Sequence, residues 1–195
     1  MKLSELFTLG NGIKAMLLFG VFALFGVLVQ SCNGPKSAID RYAVASLKKL
    51  TQLESPPIRP SLTFQTMDGQ DVQLSKHQGQ VVLMNAWATW CPPCIAEMPS
   101  LDRLQALRGS PDFVVVPISL DRTAVEAKTW FEDNDIRNLK SWHDSSYRLT
   151  GQLKLPGLPT SVLYDRDGRE VARIPGEVEW DSEEALALID YLISQ

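Results

Sequence analysis

A mostly apolar run, QVVLMNAWA at residues 80–88, leads directly into two cysteines separated by two prolines. Such a run is typical of a strand that is buried on both faces of a sheet. Pro92, which follows Cys91, suits the first turn of a helix because the N–H groups of that turn have no partners within the helix. The sequence therefore predicts a buried strand, a short turn, and a helix that begins at Cys91.

Strand and helix patterns alternate on both sides of this motif. Asp68 with Gly69, and Asp167 with Gly168, each lie between extended segments and predict two β-hairpins. Other predicted elements are a buried strand at 112–120, a helix at 123–134, a short strand near Ser141 and Trp142, and a closing helix capped by Ser182. This order predicts an α/β fold in which helices flank a central mixed sheet.

The spacing of Cys91 and Cys94 favours a redox-active pair. At a helix N-terminus, free N–H groups and the helix dipole lower a thiol pKa from about 8.5 to roughly 3.5–7.5. Cys94 lies three residues later on the same helix face and one turn deeper. We therefore expect Cys91 to attack a disulfide and Cys94 to resolve the mixed disulfide that forms.

Two other uses of the cysteine pair are less well supported. A bridge that closes so short a loop constrains the unfolded chain little, which disfavours a purely structural disulfide. A metal site needs further ligands, and His77 and His143 stand at no recognisable metal-binding spacing. His143 is better explained as a core or surface residue. We expect no metal and no cofactor.

Composition excludes one class of partner. The chain has 195 residues, a formal net charge of −4 and no cluster of lysine and arginine. Nucleic-acid binding depends on such a cluster, so we expect no nucleic-acid partner.

The N-terminus is different in kind. Residues 15–29 form an uncharged, mostly apolar run that follows Lys2 and Lys14. It is shorter than the roughly twenty residues of a transmembrane helix and fits a secretory signal better. The sequence VQSC at 29–32 is similar to the box before a lipidated cysteine, which favours a lipoprotein anchored at Cys32 over an uncleaved signal anchor or plain secretion. Each alternative places the globular part outside the cytoplasm, most simply in a bacterial periplasm.

The segment between this run and the strand–helix pattern predicts a spacer. Apolar residues recur at helical spacing over 37–53 and predict an amphipathic helix. The sequence SPPIRP at 55–60 has the composition of a linker. We therefore predict a signal peptide or membrane anchor at 1–32, a helix and Pro-rich linker at 33–60, and a globular domain at 61–195.

The stretch NAWATWCPPCIAEMPSL at 85–101, with GLPTSVLYDRDG about sixty residues later, resembles the TlpA/ResA group of thioredoxin-like proteins. The resemblance covers about residues 61–195, and the closing GEVEWDSEEALALI is more similar to TlpA than to the cytochrome c maturation branch. It implies a thioredoxin-like fold with an N-terminal β-hairpin extension, and a membrane-tethered, extracytoplasmic thiol–disulfide oxidoreductase.

The same resemblance implies partners. Clients would be proteins with disulfides, such as apocytochrome c or the proteins that deliver copper to cytochrome oxidase. Electrons would come from a membrane thiol donor of the DsbD/CcdA type. The N-terminus would hold the protein at the membrane.

The resemblance also implies roles for particular residues. Leu158 and Pro159 match a cis-proline loop beside the redox pair, and Thr160 begins the strand that follows. With Trp90, which matches the family's motif tryptophan, these residues would contact the client.

Glu97 matches a helix carboxylate of the family. Thioredoxin carries a buried aspartate six residues before its first cysteine, and this chain has Asn85 there. Glu97 lies three residues after Cys94, on the same helix face. If it is partly buried, its pKa is raised and it can manage the proton of Cys94. The alternative is a solvated carboxylate.

Two other functions on a related fold stay open. A Sco-like copper chaperone spaces its cysteines by three residues, whereas Cys91 and Cys94 are separated by two. A peroxiredoxin-like peroxidase has a characteristic proline and threonine before its cysteine, and here Thr89 has no such proline. Both patterns fit the sequence less well than a disulfide oxidoreductase does.

Overall fold

The computed structural model describes residues 37–53 and 55–195. The strands are β1 (Thr63–Thr66), β2 (Asp71–Gln73), β3 (Val81–Trp87), β4 (Phe113–Ser119), β5 (Trp142–His143), β6 (Thr160–Tyr164) and β7 (Glu170–Pro175). The α-helices are α1 (Pro92–Arg108), α2 (Ala124–Asp133), α3 (Arg148–Leu153) and α4 (Glu183–Ile193). Short 3-10 helices lie at Asp40–Tyr42, Ala45–Leu47 and Leu74–His77.

One mixed sheet contains all of these strands, in the order β2-β1-β5-β4-β3-β6-β7. Strand β3 lies inside the sheet, parallel to β4 and antiparallel to β6. Strand β5 continues the parallel pairing beyond β4, and the hairpin of β1 and β2 extends that edge in antiparallel pairing. The predicted α/β fold with a mixed sheet and an N-terminal β-hairpin extension is confirmed.

Strand β3 divides the core into two layers because its side chains alternate between the faces of the sheet. Leu83 and Trp87 belong to a layer that α1, α2 and α4 cover. Val82 and Met84 belong to the opposite layer, which α3 covers. Every residue of β3 is buried, as expected for a strand covered on both faces.

Both predicted hairpins are present. Gly69 and Gly168 have φ values of +80° and +79°, in the left-handed region that favours glycine. At Gly168 an added Cβ would also lie 2.8 Å from Nε of Arg59, so that side chain would have to shift.

The predicted amphipathic helix over 37–53 is wrong. This segment contains two short 3-10 helices, separated by Ala43 and Val44. Leu47 and Leu50 are buried in the core layer of α1 and α4, and Thr51 then pairs with Arg173 of β7. Burial of these leucines against the domain, together with pairing to the sheet edge, overrides the local helical spacing.

The predicted linker at 55–60 also lies along the domain. Ile58 forms an antiparallel bridge with Arg169, and the backbone N–H of Arg59 donates to the carbonyl of Gly168 at 2.8 Å. The compact unit that holds the sheet is Ile39–Gln195, so it begins well before the predicted boundary at residue 61.

The predicted signal or anchor, including Cys32, lies outside the described residues, which begin at Ser37. Within the part of the chain that the structure describes, no helix is both long and apolar enough to cross a membrane.

Candidate active site

Strand β3 and helix α1 place the two cysteines. The chain leaves β3 at Trp87, turns through residues 88–90 and enters α1 with Cys91 at the N-cap. Cys91 and Cys94 form a disulfide, with their Cα atoms 5.3 Å apart. Cys94 is fully buried, whereas Cys91 keeps 5% of its surface exposed. The position of Cys91 at the start of the helix, with Cys94 in its first turn, supports Cys91 as the sulfur that a client meets first.

The loop before β6 has the predicted cis bond, between Leu158 and Pro159. Pro159 is buried and Leu158 half-buried. Thr160 pairs with Ala86 of β3, so the loop lies beside the strand that leads to the cysteines. The hydroxyl of Thr160 is buried and donates to the carbonyl of Gly157 at 2.7 Å. This hydrogen bond stabilises the conformation of the loop.

Trp90 is the exposed aromatic residue of the cysteine turn. It directly precedes Cys91, and 66% of its surface is accessible. A large apolar side chain exposed beside a reactive sulfur is well suited to contact a client polypeptide. Its predicted role in client contact stays a prediction.

Glu97 is buried one turn beyond Cys94, with 1% of its surface exposed. Its Oε1 accepts a hydrogen bond from Nε1 of Trp180 at 2.6 Å, and its Oε2 accepts one from Nδ2 of Asn85 at 3.2 Å. Burial raises the pKa of Glu97 from 4.5 to about 8, although both hydrogen bonds oppose the rise. The predicted burial is confirmed, a solvated carboxylate is excluded, and the role of Glu97 in handling the proton of Cys94 stays a prediction.

Asn85 connects β3 to this carboxyl. Its Nδ2 also donates to Oγ of Ser161 at 2.9 Å, while its Oδ1 meets no hydrogen-bond partner among the described residues. A protonated Glu97 has an O–H to donate, and a rotated Asn85 amide would offer its oxygen as the acceptor. The Asn85 amide can therefore hydrogen-bond to the Glu97 carboxyl whether that carboxyl is ionised or protonated, and the amide itself does not titrate.

Asp121 holds the turn before Cys91 and is not among the residues predicted from the sequence. Its carboxylate is fully buried and accepts from Thr89 N at 3.0 Å, from Thr89 Oγ1 at 2.8 Å and from Ser119 Oγ at 2.7 Å. An aspartate directly after a buried strand is a recognisable signal, because β4 is the parallel neighbour of β3 and both strands end at the same edge of the sheet.

His143 is buried, with its Nε2 2.9 Å from the carbonyl oxygen of Asp121. The sequence predicts a core or surface residue here, and the structure places His143 in the core. Among residues 37–53 and 55–195, no group of three or more histidine, cysteine, aspartate or glutamate side chains lies close enough to hold a metal ion.

The chain is similar to known proteins. The Redoxin family model matches residues 54–189. A thiol-disulfide oxidoreductase ResA from Bacillus cereus is 29% identical over 118 residues, which span 60% of this chain and 68% of ResA.

Two solved structures are similar in fold. One, from Chlorobium tepidum, is described as a thiol:disulfide interchange protein DsbE; it is 26% identical, with a TM-score of 0.65, and the match covers 72% of this chain and 99% of that one. The other is the exposed lipoprotein thioredoxin of Streptococcus pneumoniae; it is 26% identical, with a TM-score of 0.57, over 69% of this chain and 98% of that one.

The family match contains the whole site, from Asn85 through the Cys91–Cys94 pair to Trp180. The cysteine pair and the similarity to these relatives identify the chain as a protein-disulfide oxidoreductase that acts on disulfide-bearing client proteins. The chain belongs to the Redoxin family and, within it, to the ResA/TlpA-like thiol–disulfide oxidoreductases.

Proposed function

We propose that this chain is an extracytoplasmic reductase of client disulfides, acting in cytochrome c maturation or in assembly of the copper site of cytochrome oxidase. The reductase direction rests on the sequence resemblance, and the observation that supports proton transfer at the redox pair is the buried carboxyl of Glu97, one turn beyond Cys94. The resolving step removes the proton of Cys94, and a carboxyl at this place can accept that proton or return it in the reverse step.

The reaction begins with the thiolate of Cys91. It attacks one sulfur of the client disulfide, the client S–S bond breaks, and one client thiolate leaves. The product is a mixed disulfide between Cys91 and the client. The N-terminus of α1 favours the thiolate of Cys91 because the positive end of the helix dipole lies beside it.

Glu97 acts in the second half of the reaction. Its carboxylate takes the proton of Cys94, and the Cys94 thiolate then attacks the Cys91 sulfur. The mixed disulfide breaks, the second client thiolate leaves, and both client thiolates take protons from solvent. The products are a reduced client, the Cys91–Cys94 disulfide and a protonated Glu97, which is the form that a pKa of about 8 favours at neutral pH.

The oxidised protein must then be reduced again. The sequence resemblance favours a membrane thiol donor of the DsbD/CcdA type. The apolar run at 15–29 and Cys32 support a lipid anchor that holds the domain near this donor in a bacterial periplasm. The lipoprotein nature of the similar Streptococcus pneumoniae thioredoxin adds support.

A trapping experiment tests the reductase function. In Cys94→Ala the mixed disulfide cannot be resolved, so we expect clients to accumulate on Cys91 and to be identified by mass spectrometry. Cys91→Ala is the matched control and should trap far less. Equal or greater trapping by Cys91→Ala would reverse the two roles, and a set of trapped proteins without cytochrome or copper-delivery clients would contradict the proposed process.

Lipid labelling tests the anchor. We expect metabolic labelling with a fatty acid to mark the wild-type chain and Cys91→Ser, and to be lost in Cys32→Ser. If the wild-type chain is unlabelled and still contains residues 1–31, the anchor is an uncleaved signal helix and the protein is not a lipoprotein. The proposed redox chemistry does not depend on this result.

A further inference from the structure

Trp180 makes the shorter of the two side-chain hydrogen bonds that the Glu97 carboxyl accepts. It lies between β7 and α4, is fully buried, and places its indole Nε1 2.6 Å from Oε1 of Glu97. An indole N–H donates a hydrogen bond and accepts none. It can neither take the proton of Glu97 nor turn to offer an acceptor, so it always favours the ionised carboxylate over the neutral acid.

The backbone around Trp180 is tied to the helix that carries Glu97. The N–H of Trp180 donates to Oγ of Ser100 at 3.1 Å, and that hydroxyl donates to the carbonyl of Glu97 at 2.7 Å. Ser100 Oγ also lies 3.2 Å from the carbonyl oxygen of Val178. These contacts fix the position of the Trp180 indole relative to the Glu97 carboxyl, although the two residues are 83 positions apart in the sequence.

We propose that Trp180 is a positioning residue for thiol–disulfide exchange, whose indole N–H orients the Glu97 carboxyl and stabilises its charge so that it can receive the proton of Cys94. Trp180 has this effect only through the proton-handling role proposed for Glu97, on which the inference therefore rests. Trp180 itself contacts neither the client nor the transferred proton.

The groups around Glu97 explain why one donor matters. Cys94 lies one turn away on α1, Asn85 faces the carboxyl from β3, and Glu177 adds a negative charge from the segment that also carries Trp180. Burial and the charge of Glu177 both raise the pKa of Glu97, and hydrogen bonds from Trp180, Asn85 and the Val178 backbone lower it. Loss of the indole donor should therefore raise that pKa further.

Trp180→Phe keeps an aromatic ring in the site and removes the N–H. In the oxidised protein the cysteines do not titrate, so the ¹³C shift of the Glu97 carboxyl reports its protonation directly. We expect the midpoint of that titration to move up by about one pH unit, the tenfold change in proton affinity that one hydrogen bond to a charged group supplies. The pH dependence of the reaction of the reduced protein with oxidised glutathione should move in the same direction.

Trp87→Phe is the matched control. Trp87 is also fully buried, and its Nε1 donates to Oγ of Ser141 at 3.2 Å rather than to Glu97. We expect this variant to lose a buried donor without moving the Glu97 midpoint. An equal shift in both variants would mean that any core tryptophan perturbs the carboxyl, and would overturn the proposal.

A double variant distinguishes the role proposed for Trp180 from the role proposed for Glu97. In the Glu97→Gln background, Trp180→Phe should cause no further change in the pH profile. If Glu97→Gln alone leaves the profile unchanged, the proposed role of Glu97 fails. If Glu97→Gln changes the profile while Trp180→Phe moves neither the carboxyl midpoint nor the rate profile, only the role of Trp180 fails.

The wild-type protein provides a measurement that does not depend on the folding of a variant. The indole ¹H–¹⁵N resonance of Trp180 should titrate with the midpoint of the Glu97 carboxyl, because the two groups share a hydrogen bond. A Trp180 resonance that is constant across that midpoint would overturn the proposal even if Trp180→Phe did not fold.

Discussion

At the scale of single residues, Asn85 and Glu97 show how one proton site is built. Asn85 stands on a strand where thioredoxin has an acid, and the acid of this chain is on the facing helix, 3.2 Å from the amide. A second carboxyl at residue 85 would place two buried acids in contact, which disfavours ionisation of both. The uncharged amide leaves Glu97 as the titratable group of this pair.

The raised pKa of Glu97 has a consequence for stability. Because the folded protein holds this proton more tightly than the unfolded chain, stability falls as pH rises from about 4.5 to about 8. We expect Glu97→Gln to remove this loss, so that the variant gains about 2–4 kcal/mol relative to wild type between pH 5 and pH 8.

Denaturant unfolding of the oxidised proteins at the two pH values measures this difference. Glu132→Gln is the control, since Glu132 is exposed on α2 and should show no such dependence. Parallel pH curves for wild type and Glu97→Gln would mean that Glu97 has an ordinary pKa in the folded protein.

At the scale of elements, β4 supports the turn that β3 and α1 share. Asp121 follows β4, and its carboxylate holds both the backbone and the hydroxyl of Thr89, two residues before Cys91. The third donor, Ser119, belongs to β4 itself. The turn that presents Cys91 is therefore fixed from the neighbouring strand rather than by its own residues alone.

Asp121→Asn should loosen this turn. An asparagine presents one acceptor oxygen, and its amino group would face a donor, so we expect a loss of about 1–3 kcal/mol in the free energy of unfolding. Amide hydrogen exchange at Thr89 should accelerate by about tenfold or more, since about 1.4 kcal/mol corresponds to a factor of ten.

Asp144→Asn provides the comparison for that experiment. Asp144 is equally buried and holds Ser146 and Leu149 at the start of α3. We expect it to reduce stability while exchange at Thr89 stays close to that of wild type. Unchanged exchange at Thr89 in Asp121→Asn would show that Asp121 does not hold the turn.

At the scale of the whole molecule, the segment before β1 is part of the folded unit. Residues 39–53 and 55–60, which we call the strap, run along β7 and the loop after β6. Leu47 in the strap has no exposed surface, and Leu50 keeps 7%. The strap therefore covers core residues that a domain beginning at residue 61 would leave in contact with water.

Leu47→Ala tests the strap. We expect a loss of about 2–5 kcal/mol in the free energy of unfolding, the usual cost of removing a fully buried leucine side chain. Val44→Ala is the matched control in the same segment, because Val44 is 50% exposed and its truncation should change stability by about 0.5 kcal/mol or less. Similar small losses of stability in both variants would mean that the strap is a loose linker and not part of the folded core.

Local signals in the sequence determined a large part of this protein. The apolar run and the prolines around the cysteines led to β3, its turn and α1, and the aspartate–glycine pairs led to both hairpins. Ser182 caps α4 as predicted. These features depend on residues within a few positions of one another, so their turn chemistry, capping and periodicity can be read without knowing the fold.

The tertiary structure alone decided which distant groups share a buried space. Asn85, Glu97 and Trp180 come from a strand, a helix and a connecting segment, and only packing brings their side chains within hydrogen-bond distance. The strap does not form the helix that its apolar spacing predicts, and the reason is again tertiary. Burial of Leu47 and Leu50 against the domain outweighs the weak helix preference of a short segment.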